Sequence, residues 1–318
     1  EMTMRRDIKL KMPSISRRTV LTGGVATLMA ASSLPSLPVR AQIRPHAFKV
    51  GAAEVTVFSD GDLILPVSFV LPATPAADVD ALFSANNLSR DGLPSAVNIA
   101  LVKTATDVIL IDAGAGGDFM PGLGKFADAF AASDVSADSI TKVIFTHGHA
   151  DHLWGIIDPL DEDTRFSKAQ HIMSAKEFDF WIAADIEARV AEPFRRMAAG
   201  SKRRLKALQE RIVKRKPGEE VAPGVMLFDS PGHTPGHVSV LIRSETEQIL
   251  IGGDVLTQSV VSFEKPDWRW GPDMDADLAV ISRKKTLDML ATDRTRLLGY
   301  HMPWPGVGRA ERHLPGSA

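Results

Sequence analysis

The sequence predicts an α/β (α+β) fold in which two strand-rich halves are each followed by helices. Short apolar runs of strand length alternate along the chain with longer segments of helical periodicity. The chain has 318 residues, of which 44% are apolar, and a formal charge of −2. A chain of this size and composition can bury the core of one large domain made of packed layers.

The elements follow from the apolar pattern in chain order. Residues 48–70 are expected to form strands, because Phe48–Val50 and Glu54–Phe58 flank a glycine turn. A proline-rich loop with a short helix follows over 71–92. Further strands are expected at 96–103, 107–112, 142–146, 225–229, 237–243, 247–252 and 296–300. Further helices are expected near 122–132, 136–139, 174–184, 186–215 and 276–291.

The most specific signal is the segment 147–152, His-Gly-His-Ala-Asp-His, which directly follows the apolar run 143–145. A lone histidine is more often structural than a ligand, but three imidazoles and a carboxylate within six residues are hard to explain by packing. His147 and His149 are two apart, so at a strand end they would point the same way. Asp151 and His152 must turn away, which indicates two adjacent metal ions rather than one.

Three later residues repeat the pattern of a ligand type just beyond a buried strand. His233 lies in the turn-rich segment 230–237, Asp254 follows the apolar run 249–251, and His301 follows 297–300. Active-site residues of layered α/β folds are commonly carried by such loops. These residues therefore complete a candidate site for two metal ions.

The order His-x-His-x-Asp-His, Pro-Gly-His-Thr-Pro-Gly-His, Gly-Gly-Asp and a late histidine resembles the metallo-β-lactamase superfamily over roughly residues 50 to 310. The resemblance implies its four-layer αβ/βα sandwich. It also implies site roles: a first metal on His147, His149 and His233, a second on Asp151, His152 and His301, the bridge Asp254, and Asp112 as support behind a ligand. Asp151 and Asp254 would be catalytic as well, and His237 has no ligand role in that pattern.

Within the superfamily, the chain resembles methyl parathion hydrolase and the related lactonases and arylesterases. The segments that carry this resemblance are Ser59-Asp60-Gly61, Arg283-Lys284-Lys285 and the stretch 300–308 around the final ligand. The resemblance implies that Phe119, Trp181 and Phe194 line the substrate pocket. The chain's one tyrosine, Tyr300, is the sole candidate for a tyrosine donor to a substrate oxygen.

The resemblance implies two divalent metal ions per chain, zinc in the first instance, with Mn, Co or Fe also compatible with the ligands. A metal-bridging hydroxide would cleave lactones or aryl esters, with organophosphate triesters as a further substrate class. The alternatives are a mononuclear-iron persulfide dioxygenase or a glyoxalase II-type thioester hydrolase on the same fold. A non-catalytic metal-binding protein is a third class.

The resemblance implies a small-molecule substrate, and the composition gives no sign of a nucleic-acid partner. The sequence pI is 6.6 and the one basic run, 202–216, has the apolar spacing of an amphipathic helix with a solvated face, so we expect no nucleic-acid binding. The chain has no cysteine, which excludes disulfides and thiolate metal ligands. A homodimer is compatible with the sequence.

Two expectations concern the ends of the chain. Residues 1–41 are expected to be a twin-arginine signal peptide, with the pattern Ser16-Arg17-Arg18-Thr19-Val20-Leu21 and a small-residue cleavage site at Val39-Arg40-Ala41. The hydrolase domain would then comprise 42–318, periplasmic or exported and free of the membrane after cleavage. Near the C-terminus, the final edge strand is expected to be missing or altered.

Overall fold

The computed structural model describes residues 8–12, 43–158 and 163–312, and within these ranges the strands form two seven-stranded sheets. The strands of the first sheet are β2 (His46–Val50), β3 (Ala53–Leu65), β4 (Leu93–Lys103), β5 (Val108–Ile111), β6 (Lys142–Phe145), β7 (Gln170–Ser174) and β8 (Ile212–Arg215). The strands of the second are β1 (Ile8–Lys11), β9 (Glu220–Ala222), β10 (Val225–Asp229), β11 (Val238–Ser244), β12 (Glu247–Ile251), β13 (Arg296–Leu298) and β14 (Val307–Arg312).

Both sheets combine antiparallel and parallel pairing. The first has the order β2-β3-β4-β5-β6-β7-β8, antiparallel from β2 to β5 and parallel from β5 to β8. The second has the order β1-β14-β13-β12-β11-β10-β9, in which β12 and β13 are parallel and the other pairs antiparallel. The parallel strands bring several carboxyl ends to one edge of each sheet, where ligand sites of α/β folds form.

Helices connect the strands and cover the outer faces. They are α1 (Val67–Val70), α2 (Ala76–Ala85), α3 (Phe126–Ala131), α4 (Ala150–Leu153), α5 (Ala175–Trp181), α6 (Ile186–Arg189), α7 (Arg195–Ala207), α8 (Val261–Glu264) and α9 (Ala276–Thr292). Two begin at side-chain caps: Ser174 accepts a hydrogen bond from the backbone N–H of Glu177, and Asp275 accepts one from that of Leu278. Such caps satisfy backbone donors that a helix start leaves unpaired.

The apolar core fills the three interfaces between four layers of secondary structure. Val57 and Ile144 of the first sheet pack with Val240 and Ile251 of the second in a buried cluster between the sheets. The outer face of the first sheet packs against α3, α5 and α7, and that of the second against α8 and α9. The order helices, sheet, sheet, helices confirms the predicted α/β (α+β) class and the four-layer αβ/βα sandwich.

One predicted helix is too long. Helix α7 ends at Ala207, whereas a helix was expected to continue to residue 215. Ile212–Arg215 forms β8 instead, because it pairs in parallel with β7 and extends the first sheet. Arg204 in the same basic run is buried and stacks on Trp154 at 4.2 Å, so it does not belong to a solvated face.

The two ends of the described chain meet at an edge of the second sheet. Val307–Arg312 forms β14 beside β13, so of the two expectations for the final strand, missing or altered, the first is wrong. Ile8–Lys11 pairs with the other side of β14, and Lys11 forms an ion pair with Glu311 at 3.5 Å. The twin-arginine pattern and the expected cleavage site lie outside the described residues. In the described ranges, no helix has both the length and the apolar character needed to cross a bilayer.

Candidate metal centre

The predicted ligand residues meet at the strand ends of the two sheets. Asp112 directly follows β5, and the segment 147–152 follows β6. In the second sheet, His233 lies between β10 and β11, Asp254 lies just after β12, and His301 lies after β13. Because the two sheets face each other, these loops converge from both halves of the sandwich.

The first ligand group consists of three buried histidines, His147, His149 and His233. One ligand atom from each lies within 4.8 Å of the others. Nε2 of His233 is 3.0 Å from Nδ1 of His149, so the two nitrogens point at a common position. Nε2 of His147 is buried without a hydrogen-bond partner among the described residues. Three imidazoles converging in this way match a three-ligand zinc site.

The second group consists of Asp151, His152 and His301, whose ligand atoms also lie within 4.8 Å of one another. Nε2 of His301 is 3.3 Å from Oδ2 of Asp151, and Nε2 of His152 is 3.9 Å from the same oxygen. A carboxylate with two imidazoles is a ligand set that suits Zn, Mn or Fe.

Asp254 lies between the two groups. Its Oδ2 is 3.2 Å from Nε2 of His233 in the first group and 3.2 Å from Nε2 of His301 in the second. Its Oδ1 is 3.1 Å from Nε2 of His152. One carboxylate therefore faces ligands of both groups, which is the arrangement that a bridging ligand requires.

The donor set fits a pair of divalent cations. Buried polar atoms are almost always hydrogen-bonded in folded proteins. Within the described ranges, Nε2 of His147 is buried without a hydrogen bond, and Nε2 of His152 and Oδ1 of Asp254 are buried and face each other at 3.1 Å without the geometry of a hydrogen bond. Coordination by a cation would satisfy atoms of this kind, and the three residues all belong to the predicted ligand set.

Burial and charge divide the histidines into two kinds. Burial lowers the pKa of His147 and of His149 well below the usual value, and the neighbouring imidazoles lower each further, so both rings are neutral and ready to coordinate. Burial also disfavours the charge of His152, but the carboxylates of Asp254, Asp112 and Asp151 outweigh it and raise the pKa of His152 to about 10. The pKa of His301 is raised for the same reason, chiefly by Asp254.

Asp112 supports His152 from behind. Its Oδ2 accepts a hydrogen bond from Nδ1 of His152 at 2.8 Å, which leaves Nε2 of that ring for the metal site. The backbone N–H and the hydroxyl of Thr146 donate to the same carboxylate at 2.8 and 2.7 Å. Asp112 has a φ of +61°, a strained backbone position for a residue other than glycine. These hydrogen bonds hold it there.

His237 supports the bridging residue rather than a metal. Its Nε2 accepts a hydrogen bond from the backbone N–H of Asp254 at 2.9 Å, and its Nδ1 donates to the carbonyl of Ser230 at 2.9 Å. Burial, assisted by the neighbouring His233, lowers the pKa of His237 to about 3, so the ring stays neutral. Both nitrogens are used, which agrees with the absence of a ligand role in the sequence pattern.

Two supporting carboxylates were not predicted from the sequence. Asp273 accepts a hydrogen bond from Nδ1 of His233 at 2.9 Å, and Glu177 accepts hydrogen bonds from the loops that carry the first group. Neither stands directly after a strand, so the signal that identified the ligands does not mark them. The Arg283-Lys284-Lys285 segment contained a partial signal, because Arg283 forms an ion pair with Asp273 at 2.8 Å.

A cavity of about 250 Å³ opens onto the metal groups. Its lining includes Phe119, Phe194, Trp270 and Phe69 together with aliphatic residues, and it reaches His149, Asp151, His233, Asp254 and His301. Lys and Arg are absent from the lining within the described part of the chain. The wall is therefore apolar and aromatic, and the polar end is the ligand set.

The structure places the third predicted pocket aromatic elsewhere. Trp181 is fully buried and is not part of the cavity lining. Its indole N–H donates to Glu177 at 2.6 Å, and its ring lies against His149 at a centroid distance of 5.6 Å. Trp181 thus packs behind the first ligand group, and its predicted role in the pocket is corrected.

Tyr300 is likewise unavailable to a substrate. It is buried, its hydroxyl donates to the backbone carbonyl of Asp151 at 2.6 Å, and its ring stacks on His152 at 3.8 Å. It therefore positions two residues of the second group and does not face the cavity.

The Ser59-Asp60-Gly61 segment organises one wall of the cavity. Strand β3 has a bulge between Ser59 and Gly61, which turns the Asp60 carboxylate inward. That carboxylate accepts hydrogen bonds from the backbone N–H groups of Ala115 at 2.9 Å and Phe126 at 2.8 Å. Asp60 thereby holds both ends of the loop that carries Phe119 to the cavity.

Comparison with known proteins assigns the fold and site to a family. Residues 92–301 match the model of the metallo-β-lactamase superfamily, so the chain belongs to that superfamily, as the sequence motifs predict. Together, the family, the histidine and aspartate groups and the structural relatives support a metal-dependent hydrolase.

Two curated relatives match part of the chain. The uncharacterized protein YobT of Bacillus subtilis (strain 168) is 28% identical over 159 residues, which is 50% of this chain and 61% of YobT. An N-acyl homoserine lactonase of a Bacillus species is 35% identical over 78 residues, 24% of this chain and 29% of that protein. The alignments thus span less than two thirds of both relatives.

Solved structures match over a larger part of the chain. AidC, a dizinc quorum-quenching lactonase solved with the product N-hexanoyl-L-homoserine, has a TM-score of 0.79 and 28% identity, covering 86% of this chain and 95% of AidC. The hydrolase AbOPH also has a TM-score of 0.79, at 24% identity, covering 87% of this chain and 97% of its own. The second likeness shows the shared fold.

Proposed function

We propose that this protein is a hydrolase that uses two metal ions to cleave neutral lactones and aryl esters. Zinc is the metal that we propose first. The observation that carries the proposal is the position of Asp254, whose carboxylate oxygens lie within 3.2 Å of imidazole nitrogens from both ligand groups. A site for one metal would not need a carboxylate between two complete groups. The likeness to AidC, a dizinc lactonase at 28% identity, supports the same reading.

The residues present would hold two metal ions in separate ligand groups. His147, His149 and His233 would hold one ion, Asp151, His152 and His301 the other, with Asp254 between them. Such a pair, when bound, supplies a water of lowered pKa and a Lewis acid for a carbonyl or phosphoryl oxygen. A serine or cysteine nucleophile is then unnecessary.

Two carboxylates of the site would have separate roles: Asp151 would accept a hydrogen bond from a water, and Asp112 would orient a ligand histidine. Asp151 borders the cavity. Burial would raise the pKa of Asp151, but the neighbouring charges of His152 and His301 outweigh it and lower that pKa to about 2. Asp151 is therefore ionised near neutral pH and can accept a hydrogen bond from a water. Asp112 fixes the orientation of His152, so that Nε2 faces the site and would become the ligand atom once the ring has lost a proton to the solvent.

The cavity determines the substrate class in this proposal. Its apolar, aromatic wall favours neutral substrates with an acyl or aryl group, because the described lining has no Lys or Arg to pair with a negative charge on the part of a substrate that lies along the wall. A lactone or aryl ester could place its carbonyl at the metal end and its apolar part along Phe119 and Phe194. Charged glutathione thioesters fit this wall poorly.

Phosphotriester cleavage is a second candidate activity of the same site. Neutral aryl phosphotriesters such as methyl parathion have an apolar aromatic leaving group that the phenylalanine-lined wall could accommodate. The metal pair supplies the same chemistry to phosphorus as to a carbonyl carbon. We therefore include this substrate beside the lactones.

The experiment is metal analysis combined with a hydrolysis panel of dihydrocoumarin, an acyl-homoserine lactone, p-nitrophenyl acetate and methyl parathion. A pair of metal ions per chain and hydrolysis that a chelator abolishes would support the proposal and rank the substrates. A single iron per chain without hydrolysis would refute it and favour the persulfide dioxygenase alternative. Metal binding without any turnover of a wider ester panel would favour a non-catalytic role.

We also propose that the chain is exported through a twin-arginine leader. The pattern at 16–21 supports this, and the route suits a metalloenzyme because it carries folded proteins. Fractionation of cells that produce the full chain tests it. Replacing Arg17 and Arg18 by lysine should retain the protein in the cytoplasm, and unchanged export of that variant would refute the leader.

A further inference from the structure

Glu177 is a fully buried carboxylate that connects two loops of the metal centre. Its Oε1 accepts a hydrogen bond from the backbone N–H of Gly148 at 2.9 Å, and its Oε2 accepts one from the backbone N–H of Gly236 at 2.8 Å. The indole of Trp181 donates to Oε1 at 2.6 Å. A single side chain on α5 therefore holds two backbone positions that are far apart in sequence.

Those two backbone positions adjoin all three ligands of the first group. Gly148 lies between His147 and His149, and Gly236 follows His233 by three residues in the next ligand loop. Ser174 at the start of α5 adds a hydrogen bond from its hydroxyl to the carbonyl of Gly236 at 2.6 Å. The peptide groups on both sides of that glycine are thus fixed by the same helix.

The approach of α5 to these loops is close enough to require glycine at both positions. A Cβ atom at Gly148 would lie 2.4 Å from the ring of Trp181, and one at Gly236 would lie 2.2 Å from the backbone nitrogen of Glu177. Real Cβ atoms do not approach other atoms so closely. The two loops and the helix therefore form a contact that tolerates little displacement.

The second group has no corresponding tie to Glu177. His152 is held by Asp112, and His301 donates from Nδ1 to the backbone carbonyl of Ala96 at 2.9 Å. The Glu177 carboxylate accepts hydrogen bonds from Gly148, Gly236 and Trp181, and these three residues lie beside the first group. The two groups consequently depend on different supports.

We propose that Glu177 is a positioning residue that holds the three histidines of the first group in register and so sets the metal affinity of that group. The inference rests on the proposed di-metal function. A buried carboxylate is costly unless hydrogen-bonded, and its donors here are peptide groups of the two ligand loops. Glutamine in its place would have an NH2 group where one carboxylate oxygen now accepts from a peptide N–H. Two donors would then face each other, and the loops would move apart.

The test measures Co²⁺ affinity by chelator competition and by the visible d–d absorption, in two backgrounds of the full chain. His301→Ala retains the first group, and His233→Ala retains the second. Glu177→Gln should weaken binding about tenfold to 100-fold in the first background and change the absorption bands there. In the second background it should change the affinity no more than Asp179→Asn, an exposed carboxylate on the same helix.

A buried core variant separates positioning from general stability. Leu290→Ala on α9 removes a fully buried side chain outside the metal centre, so it should lower the melting temperature without selective loss of the first site. If Glu177→Gln does not fold, Ser174→Ala removes one link to the same loop and should give a smaller loss in the same background.

The outcomes distinguish the two proposals. Absence of metal binding by the unmodified chain would refute the proposed function itself. Two bound ions, with Glu177→Gln equal to Leu290→Ala or weakening both backgrounds alike, would overturn the positioning role alone. A selective loss in the first background would establish it.

Discussion

Nδ1 of His233 donates a hydrogen bond to Asp273 at 2.9 Å, and the second oxygen of that carboxylate accepts one from Arg283 at 2.8 Å. The ion pair is almost completely buried. The chain of contacts fixes the ring so that its Nε2 faces Asp254 and His149. A ligand imidazole whose far nitrogen is anchored in this way is a better and more precisely aimed metal ligand.

Asp273→Ala should therefore weaken metal binding about tenfold to 100-fold, because His233 would lose its anchor. It would also leave the buried guanidinium of Arg283 without its carboxylate, at a cost of about 3 kcal/mol in the free energy of unfolding. Chelator competition and chemical denaturation measure the two effects. Asp267→Asn, an exposed carboxylate paired with Lys284, is the control and should change neither. Unchanged metal affinity would show that Asp273 does not support metal binding by His233.

Asp254→Ala should lose metal from both groups, because its carboxylate faces histidines of each. The purified variant should contain well under a full pair of ions and lose most of its hydrolytic activity. Since Asp254 lies in a loop rather than in a strand, the apo fold should persist in circular dichroism. A variant that retained both ions and full turnover would show that Asp254 does not bridge.

Metal binding by the apoprotein should release protons at neutral pH. The apo pKa of His152 is about 10 and that of His301 is well above the usual value, because surrounding carboxylates outweigh the effect of burial. Both rings are thus protonated at pH 7 and must lose a proton to coordinate. Calorimetry in buffers of different ionisation enthalpy should detect the release, and metal affinity should rise with pH. An affinity independent of pH between 6 and 9 would contradict this.

Asp60 should make stability fall as the pH rises through its titration. Burial raises its pKa from the ordinary value of an aspartate to about 6, although backbone hydrogen bonds from Ala115 and Phe126 oppose the rise. The folded state therefore holds this proton more tightly than the unfolded state. Relative to Asp60→Asn, the wild type should lose about 2 kcal/mol of stability between pH 4 and 6. Denaturant titrations at several pH values test this, and parallel curves for the two proteins would refute it.

Phe194→Ala should raise KM for p-nitrophenyl acetate and dihydrocoumarin more than for a small aliphatic lactone, by roughly tenfold for a lost aromatic contact. The reason is that Phe194 lines the cavity, whereas Trp181 does not. Trp181→Phe is the comparison: it should alter stability and metal affinity through Glu177, with little selectivity between substrates. Equal effects of Phe194→Ala on both substrate types would place Phe194 outside the binding site.

The convergence of the candidate ligands was predictable because their signal is local. Segment 147–152 concentrates four ligand types, and His233, Asp254 and His301 each lie close behind an apolar strand. The two-sheet architecture was predictable for the same reason, since strand ends and ligands share one pattern. The family match over residues 92–301 agrees with that inference.

The contacts that support the ligands could not be predicted, because they join segments distant in sequence. Glu177 contacts Gly148 and Gly236 across 29 and 59 residues of sequence, and nothing in the sequence around either glycine indicates this contact. Trp181 was misplaced because an aromatic residue near a ligand can lie in front of it or behind it, and sequence spacing does not distinguish the sides. Residues 212–215 continue the helical apolar spacing, so that only pairing with β7 shows that they form a strand.

The apolar wall and the ligand set come from different parts of the chain. Phe119 is on a loop held by Asp60 and Phe194 immediately precedes α7, whereas the ligands follow strand ends and are braced from behind. Substitutions along the wall can therefore accumulate without disturbing the machinery that performs the hydrolysis. Such a molecule can change its substrate preference during evolution while the chemistry of its reaction stays the same.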